Sequence, residues 1–148
     1  MTSILMVCLG NICRSPLAHG IMQSKLDDSQ YYVDSAGTAN YHVGDSPDHR
    51  SIAVAKNHGI DISGQRGRQF KTEDFDLFDH IFVMDKSNYE NVTRLARNEH
   101  DLKKVKLILD DGSGNPNIVH DPYYGDASDF QKVYEQLDAA CERIAKII

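Results

Sequence analysis

Residues 3–16 read S-I-L-M-V-C-L-G-N-I-C-R-S-P, and the rest of the chain is arranged around them. Ile4, Leu5, Met6 and Val7 form an apolar run of the length of a buried strand. Pro16 suits the first turn of a helix, where a missing N–H costs nothing, and Ser15 is the expected N-cap. Leu17, Ile21, Met22 and Leu26 continue at helical spacing, which predicts a helix over 15–27. Cys8 to Arg14 is then a tight loop from the C-terminal end of a strand to the N-terminal end of a helix.

Such a loop suits an anion. Its N–H groups can converge, the helix dipole adds positive potential, and Gly10 and Asn11 tolerate the left-handed backbone that an amide nest needs. Cys8 opens the loop and Arg14 closes it. The field that would hold a phosphate also favours a thiolate at Cys8, and Arg14 offers a planar fork to two phosphate oxygens. Cys8 therefore reads as a nucleophile aimed at phosphorus. A lone cysteine ending a strand is ordinarily a core residue, but here Gly, Asn, Arg, Ser and Pro all fall where an anion cradle needs them. No G-K-[ST] follows, so this is not a Walker loop.

Working outward, Tyr31 to Val33 read as a second strand ended by D-S-A-G-T. Turn chemistry is the preferred reading of Asp34 and Ser35, with support of the anion loop as the other. Residues 38–47 are an irregular loop exposing Tyr41 and His42. Ser46-Pro47 start a helix that Gly59 ends. Arg66 and Arg68 read as a solvated basic face, and Thr72 caps a short turn through Phe78. His80 to Met84 form a buried strand ending at Asp85, and Ser87 with Glu90 make a capping box for a helix over 87–98. Val105 to Leu109 are a fourth strand, followed by the polar loop D-D-G-S-G-N-P-N. At 118–126, I-V-H-D-P-Y-Y-G-D is a loop stiffened by Pro122 and Gly125 that presents Asp121 and two tyrosines. Ser128 with Gln131 cap a long amphipathic helix carrying Phe130, Val133, Tyr134, Leu137, Cys141, Ile144 and Ile148.

The 148 residues suffice for one domain, 1–148, with a real core. Four apolar strands alternating with helices make the class α/β with a parallel sheet. Ligands of such sheets sit beyond the carboxyl ends of the strands, where Cys8 lies. A net charge of −6 lacks the basic footprint of a nucleic-acid binder, so no nucleic-acid partner is expected. No signal-peptide pattern and no apolar run near ~18 residues is present, so no membrane partner is expected. Three cysteines make an odd count, which argues against a disulfide framework and fits a reduced cytoplasmic setting. The seven histidines lack metal-ligand spacing, and no metal or other cofactor is expected.

V-C-L-G-N-I-C-R-S-P, followed much later by D-P-Y-Y-G-D, resembles the low-molecular-weight protein tyrosine phosphatases. V-D-S-A-G-T, H-G-I-D-I-S, the V-M-D strand end and the terminal helix fall in the expected order between and after them, so the resemblance spans essentially the whole chain. It implies a three-layer, flavodoxin-like fold with sheet order 2-1-3-4, acting as a monomer, with weak dimerisation left open. It implies that Cys8 forms a phosphocysteine with a phosphotyrosine-containing protein substrate. Arg14 and the amides of Leu9, Gly10, Asn11, Ile12 and Cys13 would bind phosphate, and Asp121 would serve as general acid and then base. Ser15 would donate to the Cys8 sulfur, and Asn11 with Ser35 would hold the loop. Tyr41, Tyr123 and Tyr124 would stack on the substrate ring. Ile12 stands where phosphoarginine-directed relatives carry Thr, and Cys13 could form a reversible disulfide with Cys8. Relatives carry a His where this chain has Gln65, which implies altered loop support.

Two competing readings remain. Arsenate reductases share the Cys-x5-Arg loop, but they need relay cysteines that this chain lacks between Cys13 and Cys141. A phosphotyrosine-binding module would need neither Cys8 nor Asp121.

Overall fold

The computed structural model describes residues 1–112 and 118–148. Part of the predicted polar loop, 113–117, lies outside the described residues. Four strands, β1 (Thr2–Cys8), β2 (Tyr31–Gly37), β3 (His80–Val83) and β4 (Val105–Leu107), form one parallel sheet in the order β2-β1-β3-β4. The helices are α1 (Arg14–Lys25), α2 (His49–Asn57), α3 (Asp74–Leu77), α4 (Lys86–Thr93), α5 (Glu99–Lys104) and α6 (Ala127–Ala145). This is the three-layer, flavodoxin-like arrangement.

The pleat of β1 explains its unbroken apolar run, because successive side chains point to opposite faces and both are covered. Ile4 and Met6 pack with Leu17 and Ile21 of α1, Val54 of α2 and Phe130 and Leu137 of α6. Leu5 and Val7 pack on the other side with Phe70, Phe75 and Val92. Cys8, at the centre of the sheet and the end of its strand, is thus seated on a rigid platform.

Several local expectations are corrected. β2 continues through Asp34, Ser35 and Ala36 to Gly37 instead of turning. Ser15 lies inside α1, whose N-cap is Cys13 without a side-chain bond. The caps of α2, α4 and α6 are Asp48, Asp85 and Asp126, not Ser46, Ser87 and Ser128. In each, a carboxylate takes a first-turn N–H, which adds charge–dipole attraction that a hydroxyl lacks. Asp126 with Asp129 completes the capping box expected of Ser128 and Gln131. Glu73, not Thr72, precedes α3. β4 stops at Leu107. The helix expected over 87–98 ends at Thr93, whose hydroxyl bonds back to the Tyr89 carbonyl at 2.7 Å, and α5 follows separately behind an Asn98 cap.

Candidate active site

Cys8 is the last residue of β1 and Arg14 the first of α1, so the loop between them is anchored at both ends. Asn11 has φ 59°, the one positive value for a non-glycine among the described residues. Its side chain holds that conformation from three directions. Nδ2 donates to Ser15 Oγ (2.8 Å) and Ser35 Oγ (3.0 Å), and Oδ1 accepts from the Arg68 N–H (3.1 Å). Gly10 does not share the left-handed backbone expected of it. It serves close packing, since a Cβ there would lie 3.1 Å from His42 Cδ2.

The carbonyls of Cys8, Leu9 and Ile12 accept from the N–H groups of Thr38 (2.9 Å), Ala39 (3.0 Å) and Asp48 (2.7 Å). Among the described residues no protein acceptor takes the N–H groups of Gly10 to Cys13. A loop that ties three of its carbonyls to the protein and leaves these amides without an acceptor has the chemistry of an anion nest.

Cys8 Sγ lies 3.0 Å from Ser15 Oγ. Because Asn11 donates to that oxygen, the hydroxyl proton is available to Sγ. Cys13 is buried, which, with Asp48 nearby, pushes its thiol up to about 12. Cys141 is also fully buried, on α6, as its place in the apolar stripe suggested.

Arg14 is 3% exposed and donates through Nη1 to Asp85 Oδ2 (2.7 Å) and to the Val119 carbonyl (2.8 Å). Burial opposes its charge, but Cys8, Asp85 and Asp121 outweigh burial, and its pKa is raised. With Nη1 committed, Nε and Nη2 remain as a fork for an anion. Nη2 lies 3.7 Å from Asp121 Oδ2. Asp121 is oriented by the Tyr123 N–H, which donates to Oδ1 at 3.1 Å.

A pocket of about 310 Å³ is lined by Cys8, Leu9, Gly10, Ile12, Cys13, Arg14, Tyr41, His42, Asp121, Tyr123 and Tyr124. Ten of the expected site residues therefore meet at one cavity, while Asn11, Ser15 and Ser35 lie behind it as supports. Tyr123 and Tyr124 meet edge to face with centroids 5.0 Å apart. Among the described residues no His, Cys, Asp or Glu group is arranged to hold a metal ion, and no helix is long and apolar enough to cross a membrane.

Residues 3–148 match the family model described as "Low molecular weight phosphotyrosine protein phosphatase". The chain belongs to this family. The family members from Saccharomyces cerevisiae and Homo sapiens are 41% and 42% identical to it, covering 91% and 94% of this chain and 88% and 90% of theirs. Among solved structures, a protein tyrosine phosphatase from Entamoeba histolytica with Hepes in the active site superposes with a TM-score of 0.88 at 36% identity, covering 97% of this chain and 94% of its own. Vibrio vulnificus Wzb in complex with benzylphosphonate gives 0.89 at 29% identity, covering 99% of both chains.

Four features of this phosphatase-family site were not foreseen from the sequence. Asp85 pairs with Arg14 as well as capping α4. Arg68, expected on a solvated face, bonds Asp34 and Asp74 and holds Asn11 through its backbone. Arg50 pairs with Asp48 and donates to the carbonyls of Tyr123 (2.9 Å) and Gly125 (3.2 Å), tying the Asp121 loop to α2. His19 Nδ1 lies 3.4 Å from Ser35 Oγ. Gln65 donates to the Pro16 carbonyl at 3.1 Å and not to Asn11, so the half-buried imidazole behind the loop comes from position 19.

Burial lowers the His19 pKa below 6.5, against smaller opposing effects of Asp34 and Gln65. A depressed folded-state pKa means that the unfolded chain binds the proton more readily. The stabilising contribution is then complete above pH ~6.5 and is lost as pH falls through the lower folded value. We expect the urea midpoint to fall on acidification below that pH, and His19→Gln to flatten the fall. His80 shifts in the same direction, so the difference between variant and wild type isolates His19. Parallel profiles would exclude His19 as the responsible group.

Proposed function

We propose that this protein is a metal-independent protein tyrosine phosphatase, active also on small aryl phosphates, that works through a phosphocysteine intermediate. The observation that carries the reading is Cys8 Sγ at the base of a loop whose amides have no protein acceptor, flanked by the Arg14 fork and Asp121. The benzylphosphonate bound by the Vibrio vulnificus relative, an aromatic ring on a phosphonate, supports an aryl phosphate ligand.

In the first step Cys8 Sγ attacks phosphorus, the P–O bond to the tyrosyl oxygen breaks, and Asp121 protonates the departing phenolate. Arg14 and the loop amides bind the equatorial oxygens and their developing charge. In the second step Asp121 takes a proton from water as its oxygen attacks phosphorus. The P–S bond breaks, its electrons return to Cys8, and phosphate leaves. Ser15 donates to the departing sulfur. Tyr41, Tyr123 and Tyr124 wall the pocket, which favours a flat ring and leaves phosphoserine short of Cys8. The free thiols of Cys8, Cys13 and Cys141 suit a reduced cytoplasmic setting, with the enzyme acting as a monomer. If Cys8 is oxidised to a sulfenic acid, the Cys13 thiol can condense with it, releasing water and forming a disulfide.

The test is turnover of matched phosphotyrosine, phosphoserine and phosphoarginine peptides in the presence of a chelator. We expect only the first to be hydrolysed, and Ile12→Thr to raise phosphoarginine turnover. Failure to hydrolyse phosphotyrosine with fully reduced enzyme would refute the assignment.

A further inference from the structure

A second cleft of about 480 Å³ adjoins the catalytic pocket and shares Leu9 and Tyr41 with it. Its far wall is the C-terminal end of α4 and the turn beyond, with Asn91, Arg94 and Leu95, and Gln69 and residues 38–40 complete it. Leu9, Tyr41 and Leu95 are 41%, 73% and 43% exposed. Three large apolar side chains left in water around one polar-rimmed cleft form a surface suited to contact with another molecule.

Arg94 supplies the charge. It is exposed, and among the described residues its guanidinium has neither a carboxylate nor a carbonyl partner, whereas Arg14, Arg50, Arg68 and Arg97 pair with carboxylates and Arg66 and Arg143 donate to carbonyls. A cation at a helix C-terminus is favourable on dipole grounds alone. Arg94, however, stands in the wall of a cleft that shares Leu9 and Tyr41 with the pocket proposed to take an anionic substrate, on a chain of net charge −6. A peptide whose phosphotyrosine enters the catalytic pocket must lay its neighbouring residues on the surface around the mouth, and this cleft, lined largely by polar groups, is a cationic part of it.

We propose that the cleft is a subsite for the polypeptide flanking the phosphotyrosine, and that Arg94 selects substrates with an aspartate or glutamate near it. The proposal rests on the phosphatase reading above. Leu9, Tyr41 and Leu95 would receive the stem of that acidic side chain or an apolar neighbour, with the carboxylate at the guanidinium.

The test compares kcat/KM for phosphotyrosine peptides carrying Asp or Lys at each flanking position in turn, with p-nitrophenyl phosphate as a substrate too small to reach the cleft. At one or two positions Asp should exceed Lys by about three- to tenfold, the scale of an exposed pair against a like-charge contact. Arg94→Ala should erase the preference and Arg94→Glu reverse it. Raising the salt should compress it, and turnover of p-nitrophenyl phosphate should be unchanged in both variants. A preference that survives both substitutions, or no positional preference in wild type, would overturn the subsite while leaving the phosphatase intact. If neither peptides nor p-nitrophenyl phosphate were hydrolysed, the phosphatase reading itself would fail, and the subsite with it.

Discussion

Replacing Cys8 with serine is expected to lower kcat by on the order of 10⁶-fold, the scale of removing a covalent nucleophile. The substitution changes one atom at a residue only 3% exposed. The bond to Ser15 and the Asn11 scaffold can remain, so substrate binding should persist while chemistry stops. An alkoxide is far harder to form than a thiolate, and the loop's positive field does not close that gap. The measurement is steady-state hydrolysis of a phosphotyrosine peptide alongside isothermal titration of the same peptide. Tight binding without turnover fits the account. Turnover within about tenfold of wild type would mean that water attacks phosphorus directly and that Cys8 is not covalently involved.

The second large effect concerns Asp121. Asp121→Asn keeps an oxygen that can accept from the Tyr123 N–H, so the loop should hold its shape while the transferable proton is lost. Loss of general acid catalysis typically costs ~10²–10⁴-fold, and we expect that loss in kcat on phosphotyrosine peptides. On p-nitrophenyl phosphate, whose phenolate leaves without a proton, the first step should be far less affected. Pre-steady-state release of p-nitrophenolate should therefore show a burst in the variant. First-turnover release of p-nitrophenolate slowed as much as release of tyrosine, with no burst, would make Asp121 a binding or positioning residue instead.

The parts of this molecule most legible in its sequence were those set by contiguous residues. The runs at Ile4 to Val7 and His80 to Met84 announced strands covered on both faces, and Cys8, Arg14 and Asp121 stood in short motifs with a chemical logic. Less legible was whatever depends on partners far along the chain. Asp34 and Ser35 have turn chemistry locally, yet β2 runs through them because they pair with Leu5 and Met6 of β1, while Arg68 takes the Asp34 carboxylate and Asn11 the Ser35 hydroxyl. Ser15 looked like a cap but is spent on Asn11 and Cys8, and aspartates two residues from each predicted serine cap α2, α4 and α6. The Asp85 pair with Arg14 spans 71 residues and the Arg50 bond to Tyr123 spans 73, so no local pattern could have revealed them.

The most direct test of the central claim is to look for the intermediate itself. Asp121→Asn enzyme mixed with p-nitrophenyl phosphate should form the phosphoenzyme readily but hydrolyse it slowly, since the base that activates water is missing. Rapid acid quenching followed by peptide-mapping mass spectrometry should then find one phosphoryl group on the peptide containing Cys8, localised to its sulfur. A phosphoryl group on another residue, or unmodified enzyme throughout a time course in which p-nitrophenolate is released, would contradict catalysis through Cys8.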